Sequence, residues 1–150
     1  MTPIQQLFLG VGAKKKTYLD DVFSTYLWTG NDTANRNINN GIDLSGEGGL
    51  VWVKQRNAAV DHYLADTIRG AGELLKSHSN ESQAGLGNRI TGFNTNGFQL
   101  GNNTKVNGTN SNTYSSWSFR KAPGFFDVLT YTGNGSNRTI SHSLGSIPGC

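Results

Sequence analysis

The stretch Asp61-His62-Tyr63-Leu64-Ala65-Asp66 sets a histidine between two carboxylates. A histidine next to a carboxylate is the usual unit of general-base catalysis and of metal binding, because its charge changes near neutral pH. On an extended chain His62, Leu64 and Asp66 share one face and Asp61 points away. A metal would need further ligands, and His78 and His142 lie in polar segments without ligand spacing. The expectation for His62 is therefore a structural or surface histidine. Glycoside hydrolysis would need two carboxylates facing each other across a bond. Asp43, Glu47, Asp61, Asp66, Glu73, Glu81 and Asp127 form no pattern that marks such a pair. There is no Gly-x-Ser-x-Gly elbow, no phosphate-binding Gly-Lys-Ser/Thr loop and no His-Glu-x-x-His. The glycines of Gly46-Glu47-Gly48-Gly49 read as a turn before a strand. The sequence calls for no catalytic residue, no metal and no cofactor.

Aromatic side chains offer a second chemistry, stacking on sugar rings. Trp52 and Trp117 sit in apolar strand patterns and are expected in the core. Tyr114 borders the polar stretch Lys105-Val106-Asn107-Gly108-Thr109-Asn110-Ser111-Asn112, read as a surface loop, and is the candidate glycan-binding residue. Asn-x-Ser/Thr triplets at Asn31, Asn80, Asn102, Asn107, Asn134 and Asn137 follow from the Asn, Ser and Thr content. They matter only in a eukaryotic secretory route.

Strands must position these residues. Asn-Gly, the strongest short hairpin signal, occurs at residues 40–41, 96–97, 107–108 and 134–135. Residues 49–54 are short, apolar, β-branched and bounded by glycine, which predicts a core strand. Residues 61–67 should pair with it. Residues 90–101 predict two strands around Asn96-Gly97. In the next strand Thr113, Ser115, Trp117 and Phe119 share one face, and Tyr114, Ser116 and Ser118 the other. A further strand is expected over 126–132, and the best helix signal is a turn or two over 70–77. Short strands with turn chemistry between them predict an all-β domain, a β-sandwich of jelly-roll-like kind, with an extended N-terminal arm.

Composition supports an ordered domain. Counting the 20 glycines and leaving out the five tyrosines brings the apolar share to about 45%, near the globular average. The net charge of +3 is mild, and the basic residues are scattered apart from Lys14-Lys15-Lys16, so no broad nucleic-acid-binding face is expected. The single cysteine, Cys150, excludes a disulfide framework within one chain. The apolar stretch 4–13 precedes the lysines, the reverse of a secretory signal, and no apolar run reaches the ~20 residues of a membrane span. The expectation is a protein made in a cytoplasm, with no membrane span.

Two features organise the chain. Residues 1–28 carry an apolar patch, Ile4, Leu7, Phe8, Leu9 and Val11, followed by Lys14, Lys15 and Lys16. Such a patch needs a covering surface. It reads as an edge strand or hook on its own domain, as an arm docking on another protein, or as a membrane-surface helix that Gly10 and Gly12 would interrupt. Thr29-Gly30-Asn31 through Asn35-Arg36 and Ile38 also recurs, as Thr132-Gly133-Asn134 through Asn137-Arg138 and Ile140. The divisions expected are an arm over 1–28, a sandwich over 29–132, and a connector or incomplete second repeat over 133–150. Residues 125–132 are expected to pack well and burial to fall after Thr132. Cys150 aligns with Leu50 of the first copy, so the sequence reads either as the N-terminal part of a longer fibre-like protein or as a truncated version of one.

The strings GGLVWVKQR, DHYLADTIRGAG, GFNTNGFQLG and FDVLTYTGNGSNRTISHSLGSIPG resemble a β-rich domain that recurs in tail and virion proteins of bacteriophages, marine ones especially. The opening QQLFLGVGAKKKTYLDDVFSTYLWTGN is similar to the lead of such chains. The resemblance implies a structural virion protein, tail-fibre-like or tail-associated, made in the host bacterium's cytoplasm and located in the tail. It implies other tail proteins as partners, and a homo-oligomer, since fibre-like phage proteins are commonly trimeric. The arm residues Ile4, Leu7, Phe8, Leu9, Val11 and Lys14 to Lys16 would make the attachment. The alternative is a carbohydrate-binding module that reads host surface glycan through Tyr114.

Overall fold

The computed structural model describes residues 17–149. After a helical turn, Leu19–Val22, come nine strands: β1 (Phe23–Thr29), β2 (Arg36–Asn39), β3 (Gly49–Gln55), β4 (His62–Asp66), β5 (Glu73–Leu75), β6 (Ala84–Gly85), β7 (Ile90–Asn94), β8 (Gly97–Leu100) and β9 (Thr113–Arg120). Two further helical turns, Leu44–Glu47 and Thr104–Asn107, link them, their first turns capped by the Asp43 and Asn103 side chains. The strands form a six-stranded sheet in the order β1-β9-β3-β4-β5-β6 and a three-stranded sheet, β2-β8-β7. Every pairing is antiparallel. The fold is all-β and sandwich-like.

Alternation decides the inside. Val51 and Val53 of β3, Tyr63 and Ala65 of β4, Leu74 of β5 and Tyr114 of β9 point inward. They meet Ile38, Ile90, Phe98 and Leu100 of the small sheet. Trp28 closes one end of this core, stacked on Tyr114 at 5.5 Å and edge-on to Phe98 at 6.1 Å. Its indole N–H donates to the Val106 carbonyl at 3.0 Å, so the ring is buried without an orphaned donor.

The expected strands over 49–54, 61–67, 90–101 and 113–119 are present, and β3 pairs with β4 through Trp52↔Leu64 and Val53↔Tyr63. Four expectations need correction. The proposed helix over 70–77 contains β5 instead, because Leu74 completes the core opposite Ala65. The stretch 105–112 is no open loop: its first residues finish a helical turn, and Val106 and Asn107 are buried. The boundary at 28/29 cuts through β1, which pairs with β9 from Phe23↔Phe119 to Thr29↔Thr113. No strand forms over 126–132, where Leu129 is 38% and Tyr131 66% exposed.

Burial thus falls after Ala122, not after Thr132. Beyond it the chain folds back on itself. The Gly124 N–H donates to the Leu144 carbonyl at 2.7 Å, and Asp127 takes both the N–H and the hydroxyl of Ser143 at 2.8 Å. Phe126 packs on Phe119 at 5.4 Å. Ile140 and Leu144 are half-buried and Ile147 is 93% exposed, so none of the three joins the core cluster.

Candidate functional site

The outward face of the six-stranded sheet collects the side chains the core does not use. Directly paired residues share a face. Thr25↔Trp117↔Trp52↔Leu64↔Leu75 therefore forms one row across five strands. Phe23↔Phe119↔Leu50 forms the next row. Trp52, Trp117, Phe119, Leu50 and Leu64 are half-buried, and Leu75 and Leu27 are exposed. The Trp52 and Trp117 rings lie 5.6 Å apart at an angle of 54°.

A polar chain fixes one side of this face. The Trp52 indole N–H donates to His62 Nδ1 at 3.1 Å, and the His62 backbone N–H donates to His78 Nδ1 at 3.4 Å. His78 Nε2 lies 3.3 Å from Asp61. Asp61 also accepts from the Tyr63 hydroxyl at 3.0 Å and pairs with Lys76 at 3.3 Å, which in turn meets Glu81. Both acceptor roles require neutral imidazole at Nδ1. Burial, then Lys54 and His78, push the His62 pKa below its ordinary value. Burial opposes ionisation of Asp61, but the Tyr63 hydroxyl and Lys76 outweigh it and lower its pKa. Burial, followed by the bond to Asp61, raises that of Tyr63.

The chain of contacts orients rings and neutralises charge, and its carboxylates are engaged by cations. Elsewhere Glu47 meets Arg120, Asp66 meets Arg69 and Asp127 meets Lys121. Asp43 caps a helical turn, and Glu73 accepts from Gln83. No group of three or more His, Cys, Asp or Glu able to hold a metal occurs among the described residues. An open cleft of ≈ 440 Å³ lies between Ile68, Lys121 and Val128 on one side and Ser141 to Ser143 on the other.

Two aromatic assignments change places. Tyr114, expected at the surface, is wholly buried; its hydroxyl accepts from the Gly108 N–H at 2.8 Å and donates to the Thr104 carbonyl at 2.6 Å. It presents no face to a sugar. Trp52 and Trp117, expected in the core, stand on the outward face. The arm residues Ile4, Leu7, Phe8, Leu9, Val11, Lys14, Lys15 and Lys16 lie outside the described residues.

Asn107 has a structural role its turn-like sequence context conceals. Its Oδ1 accepts from Arg36 at 2.9 Å and from the Asn31 N–H at 3.3 Å. Its Nδ2 donates to the Thr33 carbonyl at 2.9 Å and the Gly101 carbonyl at 3.3 Å. One buried amide thus holds the β1–β2 connection against the loop after β8. The signal was Asn107-Gly108, which sequence reasoning takes for a turn.

A family model for a domain of unknown function, DUF7483, matches residues 19–150. The chain belongs to this family. No curated protein and no solved structure matches it. The DUF7483 match takes in both sheets and both copies of the recurring Thr-Gly-Asn segment.

Proposed function

We propose that the chain is a structural component of a bacteriophage tail, tail-fibre-like or tail-associated, attached to neighbouring tail proteins through the apolar segment ahead of β1. The observation that carries this reading is the internal copy. The first copy, from Thr29, closes β1 and opens β2, so it joins the edges of both sheets. The second, from Thr132, follows a filled sandwich and adds no strand to it. A domain trailing a spare edge segment suits serial, fibre-like construction more than a self-contained enzyme. The resemblance of nearly the whole sequence to phage virion domains points the same way. The reading places the protein in the virion tail and gives it homo-oligomeric partners. The glycan-reading alternative has lost its anchor, since the ring of Tyr114 is buried.

Deleting residues 1–16 tests the attachment. Particles assembled with the shortened chain should lack it, as read by mass spectrometry of purified virions; incorporation at the normal level would overturn the reading.

A further inference from the structure

The outward face of the large sheet is apolar through its middle, and the described residues leave most of it open. Phe126 covers only the Phe119 end. Phe23, Trp117, Leu50, Trp52 and Leu64 are half-buried and Leu75 is exposed. The rings are held in place before any partner arrives: Trp52 by His62, and Trp117 by Trp52. A rigid apolar face of this kind suits a short apolar strand or strap, because only the incoming segment must be ordered.

The sixteen residues ahead of Thr17 supply such a segment. Ile4, Leu7, Phe8, Leu9 and Val11 lie within eight positions, without a charge among residues 4–13. The chain enters the described structure at the β1 end of this sheet: Leu19 lies close to Phe23 and Thr25, and β1 opens on Phe23 in the apolar row. Four strand spacings separate β1 from β5, about 19 Å at roughly 4.8 Å each. The six residues from Val11 to Thr17 span up to about 20 Å when extended. Length therefore permits residues 4–11 to lie across the row from Thr25 to Leu75. Tethering also gives this segment an effective concentration in the millimolar range, which a separate partner must exceed.

We propose that this face is the docking surface for residues 4–11 of the same chain. The inference rests on the proposed role of that segment as an attachment element and adds its seat in the free protein. Attachment to a tail protein then requires the segment to leave the face, so docking outward and uncovering Trp52 and Trp117 are one event.

Acrylamide quenching of the purified full chain tests the seat, compared with the double variant Leu7→Asp, Phe8→Asp. Trp28 is buried in the core and serves as an internal control of folding. The variant should show quenching of Trp52 and Trp117 raised severalfold and a matching gain in binding of an apolar dye, with unchanged circular dichroism. Equal quenching in the two proteins overturns the proposal. A second measurement uses Leu9→Cys with Thr25→Cys in a Cys150→Ser background. Oxidation should give a crosslink within one chain; a crosslink only between chains, or none, overturns it. The same double variant separates the two readings. If it enters particles normally while its quenching rises, the attachment role falls and the seat stands.

Discussion

At Asn107 one side chain satisfies four groups, drawn from Asn31, Thr33, Arg36 and Gly101. Replacing it with alanine leaves those groups in a region where Asn107 itself is wholly buried. Unpaired buried groups cost about 1–3 kcal/mol each, and partial rearrangement should limit the loss for Asn107→Ala to about 3 kcal/mol. Urea unfolding should show it; a change below ~0.5 kcal/mol would mean the amide merely fills space. Ser116 is the opposite case. Its hydroxyl is buried and has no hydrogen-bond partner among the described residues, so Ser116→Ala should be neutral or stabilising by up to about 1 kcal/mol. His62 gives a dependence on pH. Its pKa is lower folded than unfolded, so the unfolded chain binds the proton more readily. The corresponding stability is complete above the ordinary value of 6.5 and is lost as pH falls from there through the folded value. Lys54 and His78 lie beside it, and Asp61 with its partner Lys76 belongs to the same polar chain. Protonation also removes the acceptor for the Trp52 indole. Tryptophan emission should therefore change over this pH range and lose the change in His62→Gln.

Strands were legible where alternation and glycine punctuation agree, as in β3, β4 and β9. Which face of β9 lies inside was not. Period two separates Trp117 and Phe119 from Tyr114, Ser116 and Ser118, but says nothing of which set the second sheet covers. Large apolar size favours the tryptophan face, yet the buried set is the one with serines. The Ser118 hydroxyl oxygen accepts from the Asn40 side-chain amide at 2.8 Å, a contact between the sheet and a connection 78 residues earlier, and no local pattern reports that. The hairpin at Asn96-Gly97 forms, but its geometry differs from the expected turn. Asn94 pairs with Gly97, so Thr95 and Asn96 make the turn and Gly97 begins β8 with φ of 133°. A Cβ there would sit 2.0 Å from the Ile38 carbonyl oxygen. Gly97→Ala should push β2 from β8 and destabilise the chain by about 2 kcal/mol or more, measured by thermal unfolding. A stability within ~0.5 kcal/mol of the parent would contradict this account of the close approach.

For the molecule as a whole, the two copies of one motif meet different fates. Trp28, just ahead of the first copy, is buried, whereas Tyr131, just ahead of the second, is 66% exposed. Sequence showed the likeness but not the difference, because burial depends on neighbours: β1 has β9 beside it, and no strand forms at 126–132. What holds the later segment is Asp127. The Ser143 backbone N–H, its hydroxyl and Lys121 keep that carboxyl far below the usual carboxylate range. The contribution of this carboxylate to stability is full above 3.8 and is lost as pH falls from there towards the folded value. Near pH ~3 residues 123–149 should begin to exchange amide protons faster, ahead of the sandwich. Asp127→Asn should remove that dependence, and an unchanged profile in the variant would assign the effect to another group.

The place of β9 has a consequence for synthesis. It is the last strand of the sandwich to be made, yet it lies between β1 and β3 in the large sheet. Phe23 waits for Phe119, and Thr29 for Thr113, so β1 leaves the ribosome with its sheet partner still untranslated. At about 5–20 residues per second that wait lasts several seconds. Throughout it an apolar strand edge is exposed to neighbouring nascent chains. The growing polypeptide should stay sensitive to protease until the residues of β9 have cleared the exit tunnel, and then become resistant in one step.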